Sequence, residues 1–167
     1  SKRRLAFQRK IGVGLSPPEF EKKVKRGDIT CHVGLKESVL LIMHGLGLRL
    51  TSVSEAEPRP LIAKKPVKTG LGVVRPGFVV GVTQECRGIC EEGVEVTLAF
   101  KAFVDANERD LIHISGEPEI HFESKPCIHG DLGTVGVLLN LAPRVASLEP
   151  GIRLVVELVR VGAYRFK

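Results

Sequence analysis

Three polar, glycine-bearing segments contain the residues of this chain that could do chemistry. They are Gln8–Leu15, Cys31–Ser38 and His129–Thr134, and each leads into a predicted helix. Glycine allows a backbone to come close to a ligand, and the first turn of a helix offers unpaired N–H groups to a carboxylate or phosphate. We therefore expect these segments to converge on a pocket for a small anionic molecule.

The side chains of these segments suit substrate binding and proton transfer. A base with a pKa near neutrality can move the proton of an amine, and cations with several donors hold carboxylates well. The candidate catalytic residues are His32, Glu37 and Lys10, and the candidate substrate-binding residues are Arg9, Gln8, Ser38, His129, Asp131 and Thr134.

Each candidate also has a purely structural interpretation. Arg9 and Lys10 could form the solvated face of a strand, and His32 could be an ordinary core or surface histidine. Asp131 could simply cap a helix that Thr134 helps to begin. For any one residue taken alone the structural role is the more common one, since titratable groups serve structure more often than catalysis.

The four cysteines do not form a zinc-binding pattern. Zinc sites usually contain close pairs such as Cys-x₂-Cys, whereas Cys86 and Cys90 have three intervening residues. We predict no metal site and expect small buried thiols, as is usual in a cytosolic domain. Two alternatives stay open: a composite metal site using Cys31 and Cys127, each just ahead of a histidine, and a Cys86–Cys90 disulfide.

The composition is that of a soluble globular protein. The 167 residues are 43% hydrophobic and 26% charged, so we expect a single domain over residues 1–167 with a sizeable core. No apolar run nears the roughly 20 residues of a membrane span, and no signal peptide is recognised, so we expect a cytoplasmic protein without membrane contact. The net charge of +6 could attract nucleic acid, a phosphorylated cofactor or a carboxylate. With one Tyr, no Trp and no binding motif, we expect no nucleic-acid partner.

Three helices are predicted from their caps and periodicity. The run Ser-Pro-Pro-Glu is a capping box that predicts a basic helix over Pro17–Lys25. Apolar residues spaced for one buried face predict a second helix over Leu35–Leu46. A third helix is predicted over about Asp131–Leu148, with Pro143 expected to kink or divide it.

The rest of the chain favours strands. The alternating segments are 78–82, 94–104, Leu111–Ser115, Ile120–Glu123 and, after the third helix, Ile152–Val159. The segment Pro58–Pro76 is rich in Pro, Gly and Lys and is expected to be a loop or an edge strand. This order predicts an α+β fold with a largely antiparallel sheet.

The chain contains no recognised nucleotide-binding motif. No strand is followed by Gly-x-Gly-x-x-Gly, and neither Gly12-x-Gly14 nor Gly45-x-Gly47 has the context of a dinucleotide site. We therefore expect no cofactor-binding residues in this chain.

Taken together and in order, several short motifs resemble one enzyme family. They are Gln-Arg-Lys-Ile-Gly-x-Gly-Leu before a Pro-x-x-Phe helix, His-Val-Gly-Leu-x-Glu-Ser, Gly-Asp-x-x-Thr, Asn140, Pro143 and Pro150-Gly151. From about Gln8 to the C-terminus the chain resembles 2,4-diaminopentanoate dehydrogenase and the related dihydrodipicolinate reductases. It lacks the His-His-x₃-Lys block and the Ser-Gly-Thr loop of the better-known reductases.

The resemblance implies the C-terminal, non-Rossmann domain of an NAD(P)-dependent oxidoreductase. It also implies that the sheet is mixed, though largely antiparallel, and that the helices pack mainly on one face of it. NAD or NADP would be bound mainly by a Rossmann domain that is absent from this chain and supplied in cis or in trans. The implied reaction is oxidative deamination of a diamino acid, or the reverse reduction, and the implied assembly is a homo-oligomer. The isolated chain would then be inactive.

Two functions from other classes stay open. The missing cofactor motif favours a non-catalytic oligomerisation or regulatory domain derived from such an enzyme. A basic RNA-binding domain is the weaker alternative, to be tested by salt-dependent retention of RNA.

Overall fold

The computed structural model describes residues 2–158, of which residues 2–4 are described only as backbone. The chain clusters into two compact units, Ser1–Ala106 and Asn107–Lys167. The helices are α1 (Lys2–Lys10), α2 (Pro17–Lys25), α3 (Leu35–Gly45), α4 (Gly130–Val145) and α5 (Val155–Leu158). The strands are β1 (Leu50–Glu55), β2 (Arg59–Ile62), β3 (Val67–Thr69), β4 (Gly72–Val74), β5 (Val79–Cys90), β6 (Glu95–Phe103), β7 (Asp110–Ile114) and β8 (Ile120–Ser124). The predicted α+β class is confirmed.

The long strand β5 is the centre of the first unit. On one edge, β1 pairs with its second half as far as Glu55 opposite Cys86, and β2 pairs with its first half, beginning with Arg59 opposite Thr83. The strand β6 pairs along the other edge. All strand pairs within residues 2–158 are antiparallel. Because β1 and β2 follow one another along the same edge, the ladder is interrupted beside Gln84.

Two hydrophobic clusters fill the core of this unit, one at each half of β5. The first contains Phe20 of α2 and Val82 of β5, and the second contains Val39 and Met43 of α3 and Cys86 of β5. All five side chains are essentially inaccessible to solvent. Burial of each of the larger ones contributes roughly 1.5–3 kcal/mol to the gross driving force for folding.

Gly88 of β5 leaves room for helix α3 to pack directly on the sheet. A Cβ atom at Gly88 would lie 2.7 Å from both Val39 Cγ1 and Met43 Sδ. On the other face of β5, Glu85, Arg87 and Ile89 are exposed. This half of the sheet therefore has a helix on one face, as the sequence predicts.

The second unit consists of the β7–β8 hairpin followed by α4 and α5. The hairpin is in regular register, with Asp110 opposite Ser124 and Ile114 opposite Ile120. Among the described residues of this unit, Leu141 is the buried hydrophobic side chain. The existence of two units leaves the prediction of a single functional domain untested.

Several helix and strand predictions are confirmed. The helix over Pro17–Lys25 has the predicted bounds, and Ser16 donates to Glu19 Oε2 from its backbone N–H at 3.0 Å and from its hydroxyl at 2.6 Å. The segment Pro58–Pro76 contains the edge strand β2, where Pro60 is tolerated because an edge strand can spare one N–H donor. No helix within residues 2–158 is both long and apolar enough to cross a membrane.

Three local predictions are wrong. Arg9 and Lys10 end helix α1 and do not form a strand face. Helix α4 is not divided at Pro143, which lies in its last turn, where few helical residues remain to be disturbed. The predicted strand over Ile152–Val159 is irregular backbone followed by α5, and Val159 lies outside the described residues. An alternating apolar run forms a strand only where a neighbouring strand pairs with its backbone N–H and C=O groups. A helical turn makes these hydrogen bonds within itself.

Candidate active site

The buried amide of Gln84 organises the first unit where the β1 and β2 ladders meet. Its side-chain oxygen accepts the backbone N–H of His32 at 3.4 Å. Its side-chain nitrogen donates to Glu55 Oε1 at 2.9 Å and to the carbonyl of Ala56 at 3.2 Å. A buried amide is stable when its donors and acceptors are satisfied in this way. Gln84 thus ties the loop before α3 to the end of β1.

The imidazole of His32 lies flat against Phe100. The ring centroids are 5.0 Å apart and the planes differ by 25°. Phe100 is opposite Gln84 in the β5–β6 register, so one strand pair holds both the backbone and the ring of His32. His32 itself is exposed. Within the described part of the chain, no hydrogen bond engages its ring nitrogens, which are available to a ligand. We call His32, Glu55, Gln84 and Phe100 the His32 site.

Cys31, the residue before His32, is affected by charged side chains near the site. Cys31 is buried and has a left-handed backbone conformation, with φ 49°. Burial raises the pKa of the Cys31 thiol and the charge of Glu55 adds to this, whereas the backbone N–H of His32 and the charge of Lys10 oppose it. Lys10 and Glu55 therefore both act on the Cys31–His32 turn. The protonated thiol is a poor nucleophile, so Cys31 has a structural role.

The entrance of α3 lies next to the same turn. Gly34 is the N-cap with φ 103°, a conformation that suits glycine, and no side chain caps the helix there. The Ser38 hydroxyl donates to the Gly34 carbonyl at 2.9 Å. Glu37 lies in the first turn, where a carboxylate interacts favourably with the helix dipole. Its charge and that of Lys36 both act on Cys86, as does that of Glu55.

Gln8 and Lys10 both lie on α1, but Gln8 is buried and Lys10 is exposed. Gln8 is buried, and its Oε1 accepts the backbone N–H of Gly70 at 3.1 Å, which ties α1 to the β3–β4 turn. Arg9 and Lys10 are exposed at the end of the helix. The following turn is fixed to β5, since Gly14 N–H donates to the Val79 carbonyl at 2.8 Å. The cationic end of α1 is therefore held at a defined position on the sheet.

The remaining sequence candidates lie in the second unit, at the beginning of α4. His129 is the N-cap and its side chain makes no capping hydrogen bond. Asp131 lies inside the first turn, so the interpretation of Asp131 as the N-cap is wrong. The Thr134 hydroxyl donates to the Gly130 carbonyl at 2.8 Å, as expected for a residue near a helix start. Sequence reasoning thus found six candidates in the first unit and three in the second.

Sequence reasoning missed Glu55, Gln84 and Phe100. A signal was present for Gln84, because it interrupts the buried alternate positions Val80, Val82 and Cys86 of a strand. A polar residue in such a row needs partners inside the protein. Nothing local in the sequence pointed to Glu55 or Phe100, which reach the site by strand pairing.

The cysteines make neither a disulfide nor a metal cluster within residues 2–158. Cys86 and Cys90 are unbridged and buried on the same side of β5. Four residues of strand separate their Cα atoms by about 13 Å, far beyond the reach of a disulfide. Within the same residues, the cluster of potential metal ligands consists of His113, Glu119 and His121. It contains neither Cys31 nor Cys127.

Comparison with known proteins places this chain in a family. Residues 5–164 match the family model of the 2,4-diaminopentanoate dehydrogenase C-terminal domain. A curated relative, the 2,4-diaminopentanoate dehydrogenase of Acetoanaerobium sticklandii, is 23% identical over 158 residues, which cover 92% of this chain and 45% of that protein.

A solved structure shares the fold. The amine dehydrogenase of Mycobacterium smegmatis superposes with a TM-score of 0.71 at 24% identity, over 94% of this chain and 47% of that one. The chain therefore spans about half the length of the relatives it matches. Since the family model covers nearly every residue, the chain belongs to the 2,4-diaminopentanoate dehydrogenase C-terminal domain family.

Proposed function

We propose that this chain is the substrate-binding part of an NAD(P)-dependent dehydrogenase that deaminates a diamino acid or a related amine. The observation that carries the proposal is the exposed imidazole of His32, fixed on Phe100 at 5.0 Å with its ring nitrogens facing no protein partner in the described part of the chain. A base held rigidly but left accessible is what proton transfer to or from a bound substrate needs.

The proposed first role of the chain is to bind the substrate carboxylate. Lys10 and Arg9 at the end of α1 supply cationic donors, and Gln8 fixes their helix to the β3–β4 turn. Ser38 and the first turn of α3 offer polar groups next to His32. In the second unit, His129, Asp131 and Thr134 stay proposed substrate-binding residues through the beginning of α4.

The proposed second role is proton transfer at the substrate amine. An ammonium group must lose a proton before the carbon that bears it can give up a hydride. His32 is the proposed base for this proton, with Glu37 in the first turn of α3 assisting. Glu55 supplies a negative charge beside the Cys31–His32 turn.

We propose that the coenzyme is bound outside this chain. Within the described residues no strand runs into a glycine-rich turn and helix of the dinucleotide-binding type. We therefore assign the coenzyme to a separate Rossmann domain, and the redox chemistry to the coenzyme itself. The length of the relatives, about twice that of this chain, supports the assignment.

The test is a histidine replacement in the protein that joins this chain to its coenzyme-binding domain. His32→Ala should lower kcat at saturating coenzyme and amine by roughly 10²–10⁴-fold. The matched control is His44→Ala, which removes an exposed histidine from the last turn of α3 and should leave kcat within about twofold. Equal rates for the two variants would remove His32 from the mechanism.

A second candidate function, subunit assembly, is favoured by the surface of the second unit. On α4 the exposed large hydrophobic residues are Leu132, Val135, Val137, Leu138, Leu139 and Val145. Exposed apolar side chains in this number favour an interface. Sedimentation at several protein concentrations tests the proposal. A chain that stays monomeric, or an oligomer whose mass is unchanged by Leu138→Lys, would contradict a role of α4 in self-assembly.

A further inference from the structure

Two histidines face each other across the β7–β8 hairpin. His113 on β7 is the register partner of His121 on β8. Their rings are stacked with centroids 4.2 Å apart and planes within 11°. Glu119 precedes His121 by two residues, and side chains two apart on an extended backbone project to the same side. The hairpin therefore gathers three metal-binding side chains on one face.

One carboxylate oxygen is shared by both imidazoles. Glu119 Oε1 lies 2.8 Å from His113 Nε2 and 3.3 Å from His121 Nε2. The same oxygen and nitrogens are the atoms with which Glu and His bind metal ions.

The neighbouring carboxylate on the hairpin behaves differently. Glu123 pairs with Lys125 at 2.9 Å and with Arg109 at 3.4 Å, so ordinary cationic side chains satisfy it. Within residues 2–158, the ion-pair partners of Glu119 are the two histidines alone. Among these residues, no lysine or arginine is therefore paired with the Glu119 carboxylate in place of a metal ion.

We propose that His113, Glu119 and His121 form a binding site for a divalent transition-metal ion of the Zn²⁺ type that clips β7 to β8. Two imidazoles and one carboxylate are a ligand set that zinc accepts, with the fourth tetrahedral position left for water or another donor. The ligand atoms of the three residues already lie within 4.8 Å of one another. In a tetrahedral site they would be about 3.3 Å apart, so the side chains would have to move closer by roughly 1.5 Å at most.

The proposed metal ion would stabilise a hairpin whose large apolar side chains are exposed. Leu111, Ile112, Ile114, Ile120 and Phe122 are all exposed, and an isolated two-stranded hairpin is marginally stable in water. A metal ion bound by partners on both strands would add a cross-strand link. The inference is independent of the proposed dehydrogenase function and concerns residues outside the His32 site.

Metal titration of the tag-free chain tests the site. Calorimetry with ZnCl₂ in a non-chelating buffer should show one tightly bound ion per chain, and Co²⁺ should give the visible absorption bands of a tetrahedral site. His113→Asn and His121→Asn should each weaken Zn²⁺ binding at least tenfold, since loss of even an outer partner of a metal ligand costs roughly 10–100-fold. The matched control His44→Asn removes a histidine from another element and should bind Zn²⁺ like the parent chain.

A second measurement keeps the test valid if a histidine variant misfolds. Glu119→Gln keeps the size of an exposed side chain and should also weaken Zn²⁺ at least tenfold. On the parent chain, imidazole NMR signals of His113 and His121 should shift with Zn²⁺ before those of His32, His44 and His129. No stoichiometric binding at 100-fold excess over a micromolar chain, or binding unchanged in Glu119→Gln and both histidine variants, would overturn the proposal.

Discussion

Phe100 and His32 are in ring-to-ring contact at 5.0 Å, and Phe100 is the side chain through which the two core clusters of the first unit meet. It packs against the cluster around Phe20 and against the cluster around Val39. The position of the His32 ring therefore depends on the packing of both halves of β5. The candidate base is exposed, but the surface that holds it is part of the core.

Replacement of Phe100 should affect both catalysis and stability. Phe100→Leu keeps much of the apolar contact and should cost about 1–2 kcal/mol in the free energy of unfolding. It removes the flat surface under His32, so kcat of the proposed two-domain dehydrogenase should fall by at least tenfold, while its KM for the coenzyme stays constant. Urea unfolding and steady-state kinetics provide the two measurements.

The matched control for this change lies on the same strand. Phe103→Leu alters an outward-facing, 41% exposed phenylalanine of β6 and should change neither quantity appreciably. If Phe103→Leu lowers kcat as much as Phe100→Leu does, the stacking contact is not what positions His32.

Gln84 should be one of the most sensitive polar positions of the chain. Gln84→Leu leaves the His32 N–H, the Glu55 carboxylate and the Ala56 carbonyl without their shared partner. Unsatisfied groups in a buried setting cost roughly 1–3 kcal/mol each, so we expect a loss of about 2–3 kcal/mol after partial hydration. Chemical denaturation measures this, and the exposed Thr97→Val on β6 should shift stability by less than about 0.5 kcal/mol. A Gln84→Leu chain as stable as Thr97→Val would show that the amide network contributes nothing.

The adjacent residue should respond with the opposite sign. Thr83 Oγ1 is buried and has no hydrogen-bond partner among residues 2–158. Thr83→Val replaces the hydroxyl by a methyl group of similar shape, which relieves the desolvation cost and should raise the free energy of unfolding by about 1 kcal/mol. Thermal unfolding of Thr83→Val and Thr83→Ser beside the parent chain measures the change. Destabilisation by valine would mean that the hydroxyl has a partner in solution, such as a bound water.

The buried thiols predict a loss of stability in alkali. Burial raises the pKa of Cys86 in the folded chain, and the charge of Glu55 raises it further. Between the unfolded and folded pKa values the folded state binds more protons, so the free energy of unfolding falls as the pH rises. The fall should begin above about pH 8.5, where an unfolded thiol ionises.

Replacement of the thiol isolates this effect. Cys86→Ala lowers stability at pH 7 because it removes buried volume, but it should make the decline between about pH 8.5 and pH 10 shallower than in the parent chain. Urea denaturation at each pH gives both curves. Parallel curves for the parent and Cys86→Ala would show that ionisation of this thiol does not contribute.

Local sequence patterns determined the helices of this protein that have strong end signals. The capping box at Ser16 and the apolar stripe from Leu35 to Met43 specify α2 and α3, because caps and periodicity act within a few residues. The family was also readable from motifs in order along the chain, and the family model bears it out. The candidate residues Lys10, His32 and Glu37 were named from these motifs, and their catalytic roles stay predictions.

The tertiary structure decided what surrounds those residues. Glu55 and Phe100 reach His32 through strands that are distant in sequence, and the register that brings them there is set by pairing along β5. In the same way, His113 and His121 become neighbours only because the β7–β8 register places them opposite each other. The apolar run that begins at Ile152 forms no strand because, among the described residues, no strand pairs with its backbone. Strand pairing is a long-range interaction, so the sequence determined which side chains were available and the fold determined which of them meet.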